Sequence, residues 1–442
     1  MPVYSSLDKT IIEKIQSFSL LDESYWSFKG RSTRKHCHAL VQYPAMMVPE
    51  MQGELIDVVS SIDPCIKTIF DPFVGSGTTL GEAMLRGKDF IGYDINPLAI
   101  LACEVKSGPL YISKLKEKIT TLQNNIENDI FYSISVDFPG IKKWFTHEKQ
   151  RELSKIYRSI MLEESKWARK IFWLTLSNTI RTVCNSRNST YKLHIKTEDQ
   201  IEQTPSAIEI FNKNLLKNLE SIKLQKKILS DNNVLIKSKS LSKVIIKNVD
   251  SKKHKESKRK YDLIISSPPY GDNQTTVTYG QFSYLSLKWI NLNDIDNISK
   301  IDLLSNQSSI DSNSLGGILK EHKQKGIEVL NHSKSLRLCI EEINELNPSN
   351  VRKIVSFVYD LHLSLKNSIG CLRENGYMFW TLGNRRVSNV EVPLDKIMRE
   401  LLEYEGCTFI HQIERSILNK RMAKRNQIAT TMGKESVLIM RR

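Results

Sequence analysis

Two short constellations in this 442-residue chain combine residue types that could hold and activate a ring-bearing ligand. The first is Asp71-Pro72-Phe73-Val74-Gly75-Ser76-Gly77-Thr78-Thr79. Gly75 and Gly77 lack a Cβ, so a ligand can lie against the backbone where a strand yields to a helix, and the helix N-terminus there favours a carboxylate or another anion. Alone, G-x-G is a weak pattern. No Gly-Lys-Ser/Thr follows, because Gly81 precedes Glu82, and this excludes a P-loop; Leu80 stands where the third glycine of a dinucleotide fingerprint would be. Asp94 comes 19 residues after Gly75, at the end of the next apolar run. An acid there can take both ribose hydroxyls of a nucleoside, and capping of the helix that follows is the plainer alternative. In combination, Asp71, Gly75, Gly77 and Asp94 favour an adenosyl ligand.

The second constellation is Ser267-Pro268-Pro269-Tyr270, which stops an apolar run abruptly. The prolines fix φ and offer carbonyls without N–H donors, a rigid rim of acceptors. A serine hydroxyl and a proline carbonyl can hold the two protons of an exocyclic amine, drawing its lone pair out of ring conjugation and aiming it at an electrophile; Tyr270 supplies a face for a base. The plain alternative is a surface proline turn with a packed tyrosine.

These residues need elements to position them. I-K-T-I-F-D (66–71) reads as a strand, G-S-G-T-T-L-G-E-A-M-L-R-G as a tight turn and a helix closed by Gly87. D-F-I-G-Y-D repeats the strand, and N-P-L-A-I-L-A-C-E-V-K-S the helix, with Pro97 at its tolerated start. Two successive β-α units imply a parallel sheet covered by helices. Y-D-L-I-I-S-S-P-P-Y (261–270), G-Y-M-F-W-T-L-G-N (376–384), P-L-D-K-I-M-R-E-L-L-E-Y-E-G, C-T-F-I-H-Q-I-E and E-S-V-L-I-M continue the alternation to the C-terminus. The expected class is therefore α/β, a doubly wound, mostly parallel sheet with helical and loop insertions. Three segments follow: 1–106 with the glycine-rich turn; 107–260, a helical insertion with a basic end; and 261–442 with S-P-P-Y, containing a loop insertion at 291–350 whose first part is rich in Asn, Ser and Asp.

Composition bounds the function. Apolar residues make up 40% and charged residues 26%, which excludes disorder, collagen-like repeats and a membrane-embedded body. A formal charge of +15 points to a polyanionic partner. Residues 231–260 carry ten Lys/Arg against three Asp/Glu, a run that could track phosphates or serve as a solvated linker. Arg415, Lys420, Arg421, Lys424 and Arg425 form a second basic stretch, the better candidate for backbone contact because it lies nearer the S-P-P-Y strand in fold order. The N-terminus lacks a basic region followed by an apolar one, so the expected location is cytoplasmic. Seven single cysteines without a C-x-x-C pair argue for reduced thiols and against a disulfide framework or zinc site. His36 and His38 read as surface or loop residues, and no metal is expected.

D-P-F-V-G-S-G-T-T, G-Y-D-I-N-P-L-A and D-L-I-I-S-S-P-P-Y together resemble the S-adenosylmethionine-dependent amino-methyltransferases of DNA, in particular the cytosine-N4 branch that carries S-P-P-Y. The resemblance covers about residues 25–105, 261–290 and 376–440, with the cofactor motif preceding S-P-P-Y. It implies a class I, Rossmann-like methyltransferase fold and S-adenosylmethionine held by Tyr43, Pro44, Ala45, Asp71, Phe73, Gly75, Gly77, Thr78, Asp94 and Ile95, the first three in an upstream motif completing the methionine pocket. It further implies Ser267, Pro268, Pro269 and Tyr270 at the target base, double-stranded DNA as substrate, and a cognate restriction endonuclease acting on the same site without a stable complex. Adenine-N6 enzymes more often carry Asp or Asn where Ser267 stands, so cytosine is favoured and adenine is the alternative. A carbon-5 enzyme would need a Pro-Cys nucleophile after the cofactor motif; Pro64-Cys65 precedes it, and Cys65 reads as core packing. A non-catalytic nucleic-acid binder on the same fold is the alternative of another class. An NAD-dependent oxidoreductase would leave S-P-P-Y unexplained. Target recognition is expected in 107–260, with 291–350 as the second choice.

Overall fold

The computed structural model describes residues 4–31, 34–253, 260–296, 298, 302–416 and 434–442. Its central sheet comprises β1 (Thr68–Asp71), β2 (Asp89–Asp94), β3 (Val244–Asn248), β4 (Tyr261–Ser266), β5 (Leu372–Leu382), β6 (Thr408–Ser416) and β7 (Lys434–Arg441). Their order is β6-β7-β5-β4-β1-β2-β3. The first five strands run parallel and β7 is antiparallel to both its neighbours.

The period-two alternation of the strands divides the apolar residues between two layers. Ile69, Leu263, Ile265, Phe379 and Ile439 face one core, and Phe70, Ile264, Met378, Trp380 and Leu438 face the other. On the first face lie α1 (Thr78–Leu85), α2 (Pro97–Lys106), α3 (Lys166–Val183), α4 (Ala207–Asp231) and α5 (Tyr279–Lys288); on the second, α6 (Pro348–Cys371) and α7 (Leu394–Tyr404). Almost every side of α2 is buried, because α3 packs over it from outside the sheet. No described helix is long and apolar enough to cross a membrane.

From β1 the chain winds outward through β2 to β3, then returns to β4 on the opposite flank of β1. The carboxyl ends of β1 and β4 therefore border the point where the winding reverses, the place where open α/β sheets bind their ligands. Asp71 and the Ser267–Tyr270 turn are at these two ends.

Two segments differ from expectation. The span 107–260 contains β3, whose V-I-I-K-N is only partly buried at the sheet edge and is flanked by lysines, so it reads as part of the basic run. Leu115, Trp144, Phe172 and Phe211 of the same span share one apolar cluster with Ile69 and Leu80. The expected loop at 291–350 is largely helical, with helices Ser309–Asn313, His322–His332 and Lys334–Leu346 before α6 begins at Pro348. Leu336, Cys339, Ile340 and Ile343 supply a buried helical stripe that the polar composition of the preceding residues obscures.

Candidate active site

An open cleft lies at the switch point. Tyr43, Pro44, Ala45, Phe73, Gly75, Thr78, Asp94, Ile95, Ser267 and Pro269 line it, so the structure brings together residues separated by more than two hundred positions. Asp71, Gly77, Pro268 and Tyr270 stand outside the lining.

One wall is the β1–α1 turn. Gly75 has φ +50°, and a Cβ built there meets nothing closer than the Tyr43 ring at 3.7 Å, so its open face belongs to the cleft. Gly77 differs. It caps α1 at φ +76°, and a Cβ would lie 2.9 Å from Cys103 Sγ, so its bare backbone serves the packing of α1 on α2. The Asp94 carboxylate accepts from Gly75 N–H through Oδ2 at 2.9 Å and from Asn96 N–H through Oδ1 at 2.8 Å. Burial pushes its pKa up to about 6, against the N–H groups of Asn96, Gly75 and Ile95. It does not cap α2. Asn96 does, accepting from Leu98 N–H at 3.1 Å while its Nδ2 donates to Tyr43 Oη at 3.0 Å and Ser283 Oγ at 2.7 Å.

Asp71 is completely buried beneath the cleft. Its Oδ1 accepts from Phe73 N–H at 3.0 Å and from Ser266 Oγ at 2.6 Å. Burial raises its pKa to about 7, with the bonds from Ser266 and Phe73 opposing. The bond to Ser266 joins the two motif-bearing strands.

At the end of β4, Ser267 Oγ donates to Tyr270 Oη at 3.4 Å, and Tyr270 Oη donates to Glu435 Oε1 at 3.2 Å. Burial, and secondarily the Glu435 charge, hold the Tyr270 phenol well above its ordinary pKa. Arg415 pairs with Glu435 at 3.3 Å and is 7% exposed, so it is a buried partner of this chain and not a free phosphate contact. Lys420, Arg421, Lys424 and Arg425 lie outside the described residues, as do residues 254–259 of the earlier basic run.

Sequence reasoning missed Asn96, Asn273, Tyr279 and Leu315 of the lining, and Glu435 behind it. Asn96 followed Asp94 in a readable N-P cap signal; Glu435 had none, since its relation to Tyr270 spans 165 residues. Cys65 is exposed at a turn instead of packing in the core. Cys37 and His38 are buried, not superficial: His38 Nε2 lies 2.9 Å from Glu82 Oε1, and His36, Cys37 and His38 bring three potential ligand atoms within 4.8 Å of one another, away from the cleft.

Residues 13–103 match the family described as DNA methylase, of the N6/N4 type. The type II methyltransferase M.MvaI of Kocuria varians is 31% identical over 450 residues, which cover 99% of this chain and 96% of that protein. This chain belongs to the type II DNA methyltransferases. M.MjaII of Methanocaldococcus jannaschii is 32% identical over 148 residues (31% of this chain, 26% of that protein), and M.BsoBI of Geobacillus stearothermophilus 27% over 312 residues (63% and 57%). The sheet order is that of a class I methyltransferase. Membership in this DNA methyltransferase family of restriction–modification systems implies DNA as substrate and S-adenosylmethionine as methyl donor.

Proposed function

We propose that this methyltransferase modifies the exocyclic N4 amine of a cytosine in duplex DNA, protecting host DNA from a cognate restriction endonuclease. The observation that carries this reading is the convergence of Asp94 and Gly75 with Ser267 and Pro269 on one cleft, with a serine at the position where an acid or amide is more usual in adenine enzymes.

The cleft fits an adenosyl sulfonium ligand. An ionised carboxylate offers about four lone-pair sites; the N–H groups of Asn96, Gly75 and Ile95 address some of those on Asp94, and acceptor capacity remains for the ribose. The open face of Gly75 admits the methionine portion beside Tyr43, Pro44 and Ala45, with Phe73, Thr78 and Ile95 completing the wall. When bound, S-adenosylmethionine supplies a methyl group already made electrophilic by its sulfonium.

The chain's own task is to present the amine. With Ser267 Oγ able to donate to Tyr270 Oη, its lone pairs remain to accept one amine proton, and a carbonyl of the prolyl rim accepts the other. Both bonds favour a pyramidal nitrogen with its lone pair available, and positioning provides most of the rate. The target nucleotide must leave the duplex to reach this rim, with Tyr270 as its stacking face. The exposed turn position of Cys65 gives it no part in the transfer.

Recognition of the DNA sequence is assigned to the helical part of 107–260, with 291–350 second. Exchange of either segment with that of a relative of different target should carry the specificity with it. The reaction is tested by base-resolved mapping of modified bases in a host expressing the gene: N4-methylcytosine at one recurring sequence is expected, and N6-methyladenine alone would overturn the base assignment.

A further inference from the structure

Between α3 and α4 the chain forms a short antiparallel hairpin. Ser186 pairs with Ile195, and bonds from Arg187 N–H to His194 O and from Lys196 N–H to Asn185 O, both 2.8 Å, flank the pair. The foot is buried at Cys184, Asn185 and Ser186, where Asn185 donates to Trp144 O at 2.8 Å through its N–H and to Lys143 O at 3.1 Å through Nδ2. Beyond the foot, Arg187, Asn188, Ser189, Tyr191, Lys192 and His194 are exposed. From Cys184 to Lys196 the sequence carries Arg187, Lys192 and Lys196 and no acid.

The place of the hairpin is set by α5, whose first residue, Tyr279, lines the cleft. Leu193 N–H donates to Gln281 Oε1 at 3.2 Å, and the Tyr191 ring meets Phe282 edge-on at 6.1 Å. Phe282 lies 5.9 Å from the ring of Tyr43 in the cleft wall. The Arg181 guanidinium sits over the same Phe282 ring at 4.8 Å and donates to Thr190 O at 3.2 Å. The hairpin thus stands beside the cleft on a fixed base. A second basic hairpin pairs Leu235 with Ser240 and carries Lys237 and Lys239. It lies elsewhere: Val234 at its foot packs on Gly87, just ahead of β2, so it belongs to the amino ends of the strands, away from the cleft.

A duplex that delivers a base to the cleft must lie over the carboxyl ends of the strands, where the first hairpin stands. The major groove, about 12 Å wide, admits a two-stranded ribbon, whereas the minor groove, about 6 Å wide, is narrower than one. We propose that the hairpin 186–195 is the groove reader of this methyltransferase. It enters the major groove beside the target base, with Arg187 and Lys192 on phosphates and the Asn188–Ser189 turn at base edges, where an amide and a hydroxyl can each donate and accept. The assignment rests on the readings of the cleft and of 107–260 given above, and narrows recognition to one element.

The test measures duplex binding by three double variants beside wild type: Asn188→Ala with Ser189→Ala, Arg187→Ala with Lys192→Ala, and, from the other hairpin, Lys237→Ala with Lys239→Ala. All these positions are exposed, and melting temperatures check that each variant is folded. Wild type should prefer the mapped site over duplexes with one base pair changed by roughly five- to 150-fold. The turn variant should lose that preference at one or more positions and bind S-adenosylhomocysteine as before. The Arg187/Lys192 variant should bind every duplex more weakly, with the salt dependence of log K reduced by about one per cation removed. The Lys237/Lys239 variant, which loses the same charge, should keep the slope of wild type. A turn variant that discriminates as wild type does at every position, or equal slopes for the two cation variants, would overturn the assignment and leave the cleft reading standing. Failure of wild type to bind S-adenosylhomocysteine would instead remove the cleft reading, and the salt slopes, measured on any duplex, would still decide the hairpin.

Discussion

Ser266 Oγ donates a 2.6 Å hydrogen bond to Asp71 Oδ1, and both residues are wholly buried. The bond ties the carboxyl end of β4 to that of β1, the two strands between which the winding of the sheet reverses. The glycine-rich turn and the Ser-Pro-Pro-Tyr turn each begin immediately beyond it. The contact extends the pairing of the two strands, Ile69 with Leu263 and Phe70 with Ile264, to the floor of the cleft. Ser266→Ala should therefore cost about 1–3 kcal/mol of stability by leaving Asp71 short of a donor, and should slow methyl transfer more than it weakens cofactor binding. Denaturant titration beside steady-state kinetics checks both effects.

Asp71 and Asp94 also make the ligand-free protein sensitive to pH. Their folded pKa values are raised from 3.8 to about 7 and about 6. As pH rises from near 4 toward 7, the unfolded chain has released these protons while the folded one retains them, so the unfolded state binds fewer protons and stability falls with rising pH. Unfolding midpoints should decline across that window, and Asp71→Asn should flatten the decline. A stability that rises through the same window in wild type but not in the variant would contradict the assignment of this titration to Asp71.

Cofactor affinity should run the opposite way. Asp94 accepts ribose hydroxyls best when ionised, so binding of S-adenosylmethionine should weaken as pH drops through about 6. A charge-assisted hydrogen bond contributes about 1.5–3 kcal/mol, so Asp94→Ala should lose roughly ten- to a hundredfold in affinity and its pH dependence. Calorimetric titration that finds equal affinities would remove Asp94 from the site.

The two glycines of the first motif should part company on substitution. A side chain at Gly77 meets Cys103 Sγ at 2.9 Å in a left-handed backbone, so Gly77→Val should lower the melting temperature. At Gly75 the Cβ position is open, and Gly75→Ala should weaken cofactor binding with a smaller loss of stability. Thermal melts paired with binding titrations separate the two.

Tyr270 is held through its hydroxyl by Glu435 at 3.2 Å. Stacking on a base is worth about 1–3 kcal/mol, which phenylalanine keeps and alanine does not. Tyr270→Phe should stay active, with a modest loss. Tyr270→Ala should lose much of its rate with cofactor affinity intact. Normal turnover by Tyr270→Ala would leave Tyr270 as a packing residue.

The alternation of strands and helices around the two motifs was legible because buried parallel strands write themselves as apolar runs ending in Asp71, Asp94 or Ser267. The cleft residues nearest these ends followed directly. What escaped were contacts made across the fold: β3 is an edge strand with lysine in it, and Glu435 reaches Tyr270 from another strand. The packing partners of Asp71 and Gly77, Ser266 and Cys103, were invisible for the same reason, since a carboxylate or a missing Cβ has the same letter whichever neighbour it serves.

The most direct test of the central claim is mass spectrometry of nucleosides from duplex DNA methylated by the purified protein, with Ser267→Ala as the comparison. Wild type should yield N4-methylcytosine, and Ser267→Ala should yield far less while binding S-adenosylmethionine as before. A product consisting only of N6-methyladenine, or undiminished N4-methylcytosine from Ser267→Ala, would contradict the account.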